Sequence, residues 1–309
     1  MPLHPQAKAF LDGIAALNPP DISEAGAFVA RSNSHGEPDI SGPIDPTVRI
    51  DNRFFTSSTA DTYIKVYTPA GSGPFNALVY FHGGGWVVNY VAKYDAQCAA
   101  LATMTNSVVI SINYQKAPEH KFPIPFNDCY EGLQWVIANA KELNIKSDKI
   151  GVGGDSAGGN LASAVALAAR DRGVELAYQL LIYPCNGPEY VDSSDVPNAE
   201  TFGLTQRGMK WLWEQYLNGP VDRTNPYAVP HSAKSYEGLA PTIIFTAEYD
   251  VLRQDGMDYA AKLKAAGVPT AYIDCLGMIH GFFNYGKYIE EGINIRTWIA
   301  TEINKVLGK

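Results

Sequence analysis

Short, nearly continuous apolar runs alternate along this chain with stretches of helical period. Ala77 to Phe81, Val108 to Ile112, Tyr178 to Tyr183 and Thr242 to Phe245 carry little polar alternation, as expected of strands covered by helices on both faces. Lys149 to Gly154 and Thr270 to Cys275 read as two further strands. Between them, Val91, Tyr94, Cys98 and Leu101 form one apolar stripe, and Phe126, Tyr130, Leu133, Ile137 and Ala140 form another. Leu252, Tyr259, Leu263 and Ala266 make a third, stopped by Gly267 and Pro269. Ala157 to Arg170 continues as a small-residue helix. Repeated strand and helix order predicts an α/β fold around a mostly parallel sheet.

Two stretches break the rhythm. Residues 1–45 hold an amphipathic pattern (Ala7, Phe10, Leu11, Ile14, Leu17) and a connection punctuated by Pro and Gly. Residues 186–238 separate two strand candidates and include a predicted helix near Thr205 to Leu217. A connection of that length in a compact domain is usually functional. Both pieces are expected to cover the strand ends, leaving core segments 46–185 and 239–309.

Composition narrows the partners. The 309 residues are 46% hydrophobic, enough for one sizeable core, and the formal net charge is −8. An acidic chain without basic clusters is unsuited to nucleic acid or an anionic membrane, so a small-molecule substrate is expected. The N-terminus shows no secretory pattern and no apolar run reaches a membrane span. Cys98, Cys129, Cys185 and Cys275 match no metal spacing and are expected as buried, reduced thiols of a cytoplasmic protein. No metal or cofactor is expected. Thr270 to Cys275, if it ends the sheet with a free edge, offers a surface on which two copies would pair as a homodimer.

The chemistry concentrates at predicted strand ends. Gly154-Asp155-Ser156-Ala157-Gly158 places a serine on a strand-to-helix turn, the context that gives this pattern meaning as a nucleophile. A Gly-rich phosphate loop fits less well, because no Lys-Ser or Lys-Thr pair follows the glycines. His82-Gly83-Gly84-Gly85-Trp86 follows another strand, and consecutive glycines can present N–H groups to an oxyanion. Gly84, Gly85 and Ala157 are the expected donors, and His82 is expected to be structural.

Among the remaining histidines, His4 and His35 lie near the N-terminus, His120 in a loop and His231 in the insertion. His280 follows a strand and is the candidate base, and Asp250 follows another and is the candidate acid, with Glu248 and Asp255 as fallbacks. The order Ser156, Asp250, His280 is that of the α/β-hydrolases.

With these motifs together, the chain resembles the hormone-sensitive-lipase family of α/β-hydrolase carboxylesterases. The resemblance runs from about residue 45 to the C-terminus. It rests on His82 to Trp86, Tyr114 with Ala117-Pro118-Glu119-His120 and Phe122-Pro123, Gly154 to Asn160, Asp250-Val251-Leu252 and His280-Gly281-Phe282. Gln115-Lys116 stands where the family usually has Arg-Leu, and Val251 where it often has Pro. The resemblance implies an eight-stranded, mostly parallel sheet with helices on both faces and a helical cap made from the N-terminus and the insertion. It also implies hydrolysis of short- to medium-chain carboxylic esters, through an acyl-enzyme and without a cofactor. Trp86, Phe202, Trp211, Trp213 and Tyr216 are the aromatics expected in the substrate pocket. An aryl acylamidase, arylformamidase or lactonase would use the same residues. A non-catalytic receptor on this scaffold, such as the gibberellin receptors, would lack the histidine that His280 supplies.

Overall fold

The computed structural model describes residues 1–34, 40–192 and 202–308; His35 lies outside them. The strands are β1 (Arg49–Thr56), β2 (Asp61–Thr68), β3 (Phe75–Phe81), β4 (Ser107–Ile112), β5 (Ile145–Asp155), β6 (Gln179–Ile182), β7 (Thr242–Tyr249) and β8 (Thr270–Ile279). They form one sheet in the order β1-β2-β4-β3-β5-β6-β7-β8. β3 to β8 are mutually parallel, whereas β1 pairs antiparallel with β2, and β2 with β4.

The continuous apolar runs have a simple cause. Every residue of β3 and β4 is buried, and successive side chains enter opposite cores, as the two-residue period of a strand requires. Ala77, Val79 and Phe81 face one core and Leu78 and Tyr80 the other. The first core is closed by α4 (Ile124–Ala138), α5 (Ala157–Asp171) and α8 (Arg253–Ala265). The second is closed by α1 (Pro5–Ala16), α3 (Asp95–Thr105) and α9 (Glu291–Val306). The first predicted stripe divides, with Val91–Tyr94 forming a 3₁₀ turn before α3.

The hairpin β1–β2 is not visible as an apolar run, because β1 is largely solvated. Phe54 is 65% exposed while its neighbour Phe55 is 4% exposed, so one side chain faces water and the next packs into the first core. β8 ends the sheet, with Ile273 and Leu276 exposed. All four cysteines are buried and free. No helix among the described residues is long and apolar enough to cross a membrane.

Register sets up the site. Phe81 pairs with Gly154, and Asp155 with Ile182, so the 82–86 loop emerges beside the β5–α5 turn. Tyr249 pairs with Ile279, so Asp250 and His280 leave the sheet side by side. Parallel strands bring all these ends to one sheet edge, where open α/β sheets carry their sites. Over that edge lie α1, α2 (Ile22–Ser34) and α7 (Gln206–Tyr216). α7 begins at Thr205, whose side chain caps it by accepting from the Gly208 N–H.

Candidate active site

Ser156 occupies the turn between β5 and α5 with φ 55° and ψ −120°, a left-handed geometry that β-carbon-bearing residues rarely adopt. The turn is held on both sides. The Ser156 N–H donates to the Ile182 carbonyl at 2.8 Å, and the Asn160 N–H donates to the Ser156 carbonyl at 3.0 Å. Gly154 and Gly158 make the turn possible, since a β-carbon at either would overlap backbone at Phe81.

A line of hydrogen bonds runs out from this serine. Ser156 Oγ lies 3.0 Å from His280 Nε2, and His280 Nδ1 lies 2.6 Å from Asp250 Oδ2. A carboxylate only accepts, so Nδ1 carries the proton and Nε2 presents a lone pair to the hydroxyl. The other Asp250 oxygen accepts from the Leu252 N–H at 2.9 Å. Asp250 is buried, whereas His280 reaches the cavity wall. The fallback acids are engaged elsewhere. Glu248 binds the N-terminal ammonium at 2.6 Å and the Gly277 N–H at 2.7 Å, and Asp255 binds His231 at 3.0 Å.

The glycine triplet divides into two jobs. Gly84 and Gly85 have φ of 116° and 58° and line the cavity with Ser156. Among the described residues neither amide donates a hydrogen bond within the chain. Ala157 opens α5, so its N–H is one of the donors a helix start leaves without an intrahelical partner. Gly83 instead donates to Asp155 Oδ1 at 2.9 Å. His82 is fully buried, which holds its imidazole well below the usual range and therefore neutral. Its Nδ1 donates to the Gly83 carbonyl at 2.8 Å and its ring stacks on Tyr114 at 4.4 Å.

Asp155 is the residue whose part the motifs did not disclose. Its carboxylate also accepts from Tyr80 Oη at 2.9 Å, Tyr94 Oη at 3.1 Å and Asn284 Nδ2 at 2.9 Å. Burial raises its carboxyl above the usual range, against the pull of these four donors. A charged residue inside a pentapeptide of otherwise small side chains was the available signal.

The cavity above Ser156 measures about 620 Å³. Its apolar wall comes from Leu11 and Ile14 of α1, Ile22 of α2, and Leu204, Met209 and Leu212 of the insertion. The five aromatics expected there lie elsewhere. Trp86 and Tyr216 stack at 4.3 Å with planes 2° apart, and Trp213 packs on Trp86 at 4.5 Å, all three buried in the core. Phe202 packs edge-on against Tyr249 at 5.0 Å, and Trp211 rests against the first core. Large rings gain most from complete burial, so these pack into the protein, and the wall is left to aliphatic chains together with Tyr94 and Tyr285.

Polar ties bind the covering elements to each other and to the core. Asp21 accepts from Thr205 Oγ1 and from the Ser23 N–H, and Arg207 pairs with Glu24 at 2.5 Å. Arg31 of α2 donates to the Val87 carbonyl at 2.8 Å and the Ala117 carbonyl at 2.7 Å, and pairs with Glu119. Those hydrogen bonds from Arg31 hold Glu119 down to about 2. Lys116, in the departed Gln115-Lys116 position, is brought down to about 8 by burial and by Arg31. Among the described residues no group of three or more His, Cys, Asp or Glu is arranged to hold a metal ion.

Known proteins resemble this chain in sequence and architecture. The profile of the α/β-hydrolase fold family matches residues 78–284. An arylesterase of Saccharolobus solfataricus is 31% identical over 290 residues, covering 91% of this chain and 92% of that protein. The carboxylic ester hydrolase LipN of Mycobacterium tuberculosis is 36% identical over 225 residues, which are 71% of this chain and 60% of LipN. The solved structure of a hyperthermophilic esterase from the archaeon Pyrobaculum calidifontis superposes with a TM-score of 0.90 at 35% identity, covering 99% of both chains. The chain therefore belongs to the α/β-hydrolase fold family, in agreement with the hormone-sensitive-lipase resemblance of its motifs.

Proposed function

We propose that this protein is a serine carboxylesterase acting on short- to medium-chain esters. The observation that carries the reading is the unbroken line from Asp250 through His280 to Ser156, ending in a cavity lined by Gly84 and Gly85. His280, oriented by Asp250, takes the Ser156 proton as Oγ bonds to the ester carbonyl carbon. The electron pair displaced onto the carbonyl oxygen is met by the N–H groups of Gly84, Gly85 and Ala157. Collapse breaks the bond to the alkoxide, which takes the proton from His280 Nε2. Water, deprotonated by the same nitrogen, then releases the acid and restores the serine.

Residues 1–45 and 186–238 form the cap in this reading. The similar proteins named above are ester hydrolases, which supports the reaction class. A cavity of about 620 Å³ suits a small ester, and its aliphatic wall suits an acyl chain of modest length.

The test is a p-nitrophenyl ester series from acetate to laurate, with a matched p-nitroanilide and fluorophosphonate labelling. Turnover should be highest on the shorter esters and low on the anilide, with the label on Ser156. Ser156→Ala should abolish both turnover and labelling. Retained turnover in that variant overturns the assignment.

A further inference from the structure

We propose that Asp155 is a positioning residue for this reaction, its carboxylate tying the oxyanion loop through Gly83 and the histidine turn through Asn284 to the nucleophile's own backbone. The proposal rests on Ser156 being the nucleophile.

The contacts join three separate chain segments. Asp155 is peptide-bonded to Ser156 and is 1% exposed. One carboxylate oxygen accepts from the Gly83 N–H, one residue before the glycines that face the cavity. The other accepts from Asn284, which ends the tight turn Phe282–Asn284 begun at Gly281, directly after His280. Tyr80 and Tyr94 complete four donors on two oxygens. Asn284 is itself fixed, its amide oxygen accepting from Gln97 Nε2 at 2.6 Å. The arrangement also explains the first glycine of the triplet. A β-carbon at Gly83 would lie 2.5 Å from Asp155 Oδ2 and 2.8 Å from its carbonyl oxygen, so only glycine permits the approach.

A core that needed only stability would do without this group. Burying a carboxylate is unfavourable until its partners offset it, and apolar replacements often stabilise. What the carboxylate supplies is geometry shared among the nucleophile, the oxyanion donors and the base. A displacement of about 1 Å among such groups costs on the order of 100-fold in rate.

Asp155→Asn changes this with little change in volume. The amide keeps one acceptor oxygen for two donors, and its NH₂ then opposes the Asn284 amide or the Gly83 N–H. The kcat on p-nitrophenyl butyrate should fall about 10- to 100-fold with KM within about threefold, and the rate of fluorophosphonate labelling at Ser156 should fall in parallel. Asn284→Ala, which removes the tie between Asp155 and the histidine turn together with the bond from Gln97, should lower kcat about tenfold. It should add little in the Asp155→Asn background, because both changes break one network. Assays run well below each variant's unfolding temperature separate positioning from stability. Should Asp155→Asn fail to fold, Asn284→Ala alone decides. Wild-type kcat and labelling rates in the folded variants, or losses that simply multiply in the double variant, overturn the proposal. Failure of the unaltered protein to label at Ser156 would instead remove the nucleophile reading beneath it.

Discussion

Among the described residues two histidine–aspartate pairs use the imidazole in opposite ways. In the first, Asp250 accepts a hydrogen bond from the His280 Nδ1–H, leaving Nε2 facing Ser156 at the cavity. In the second, Asp255 accepts from the His231 Nε2–H at 3.0 Å, while Lys262 Nζ donates to Nδ1 at 2.8 Å. Both nitrogens of His231 are therefore committed, and its ring is enclosed by Tyr190 at 4.4 Å and Tyr259 at 5.2 Å. Burial raises the Asp255 carboxyl above its usual range, offset by His231 and by the N–H groups of Gly187 and Asn186. The second pair thus joins residues 186 and 187, where the insertion leaves the core, to Pro230–Ser232, where it returns, and holds both on α8. The difference teaches that the reactivity proposed for His280 needs a free lone pair beside a cavity, while the same two residue types with every site satisfied make an anchor.

The comparison is broken most directly at His280. His280→Ala should lower kcat by about 10⁴-fold or more, with little change in unfolding temperature. Esterase assays alongside calorimetry check this, and near-normal turnover would erase the distinction between the pairs. His231→Ala should do the reverse. Leaving Asp255 buried without its partner should lower unfolding free energy by about 3 kcal/mol, read from urea denaturation, while kcat of the folded protein stays within about twofold. A loss of kcat comparable to that of His280→Ala would mean the anchor reading is wrong. The smallest effect is expected at Lys262→Met, about 1 kcal/mol for one lost hydrogen bond, with ester turnover intact. A larger loss would show that the lysine, and not the carboxylate, secures the ring.

How much of this was legible depended on how local the physics was. The strands β3, β4, β6 and β7 announce themselves because each is buried on both faces, and α8 because Gly267 ends it with φ 77°. β1 was not legible, since a solvated antiparallel edge needs no apolar run. Ser156, Asp250 and His280 stood out because each is a polar residue directly after a strand candidate, Ser156 within Gly154 to Gly158 and His280 before Gly281. The aromatics Trp86, Trp213 and Tyr216 misled for the opposite reason. Their size signals burial, and the sequence does not say whether a large ring is buried by ligand or by protein. Leu212 and Met209, which do line the cavity, carry no mark distinguishing them from core aliphatics.

The sequence by itself determined the alternation of elements, the candidate reactive residues and their order along the chain, because periodicity and backbone permissiveness are properties of neighbouring residues. Only the tertiary structure decided which histidine kept an open nitrogen, which aromatics faced inward, and that Asp155 gathers donors from residues 80, 83, 94 and 284. Those outcomes follow from contacts between distant segments and from the dielectric that burial creates around them, and neither exists until the sheet has assembled.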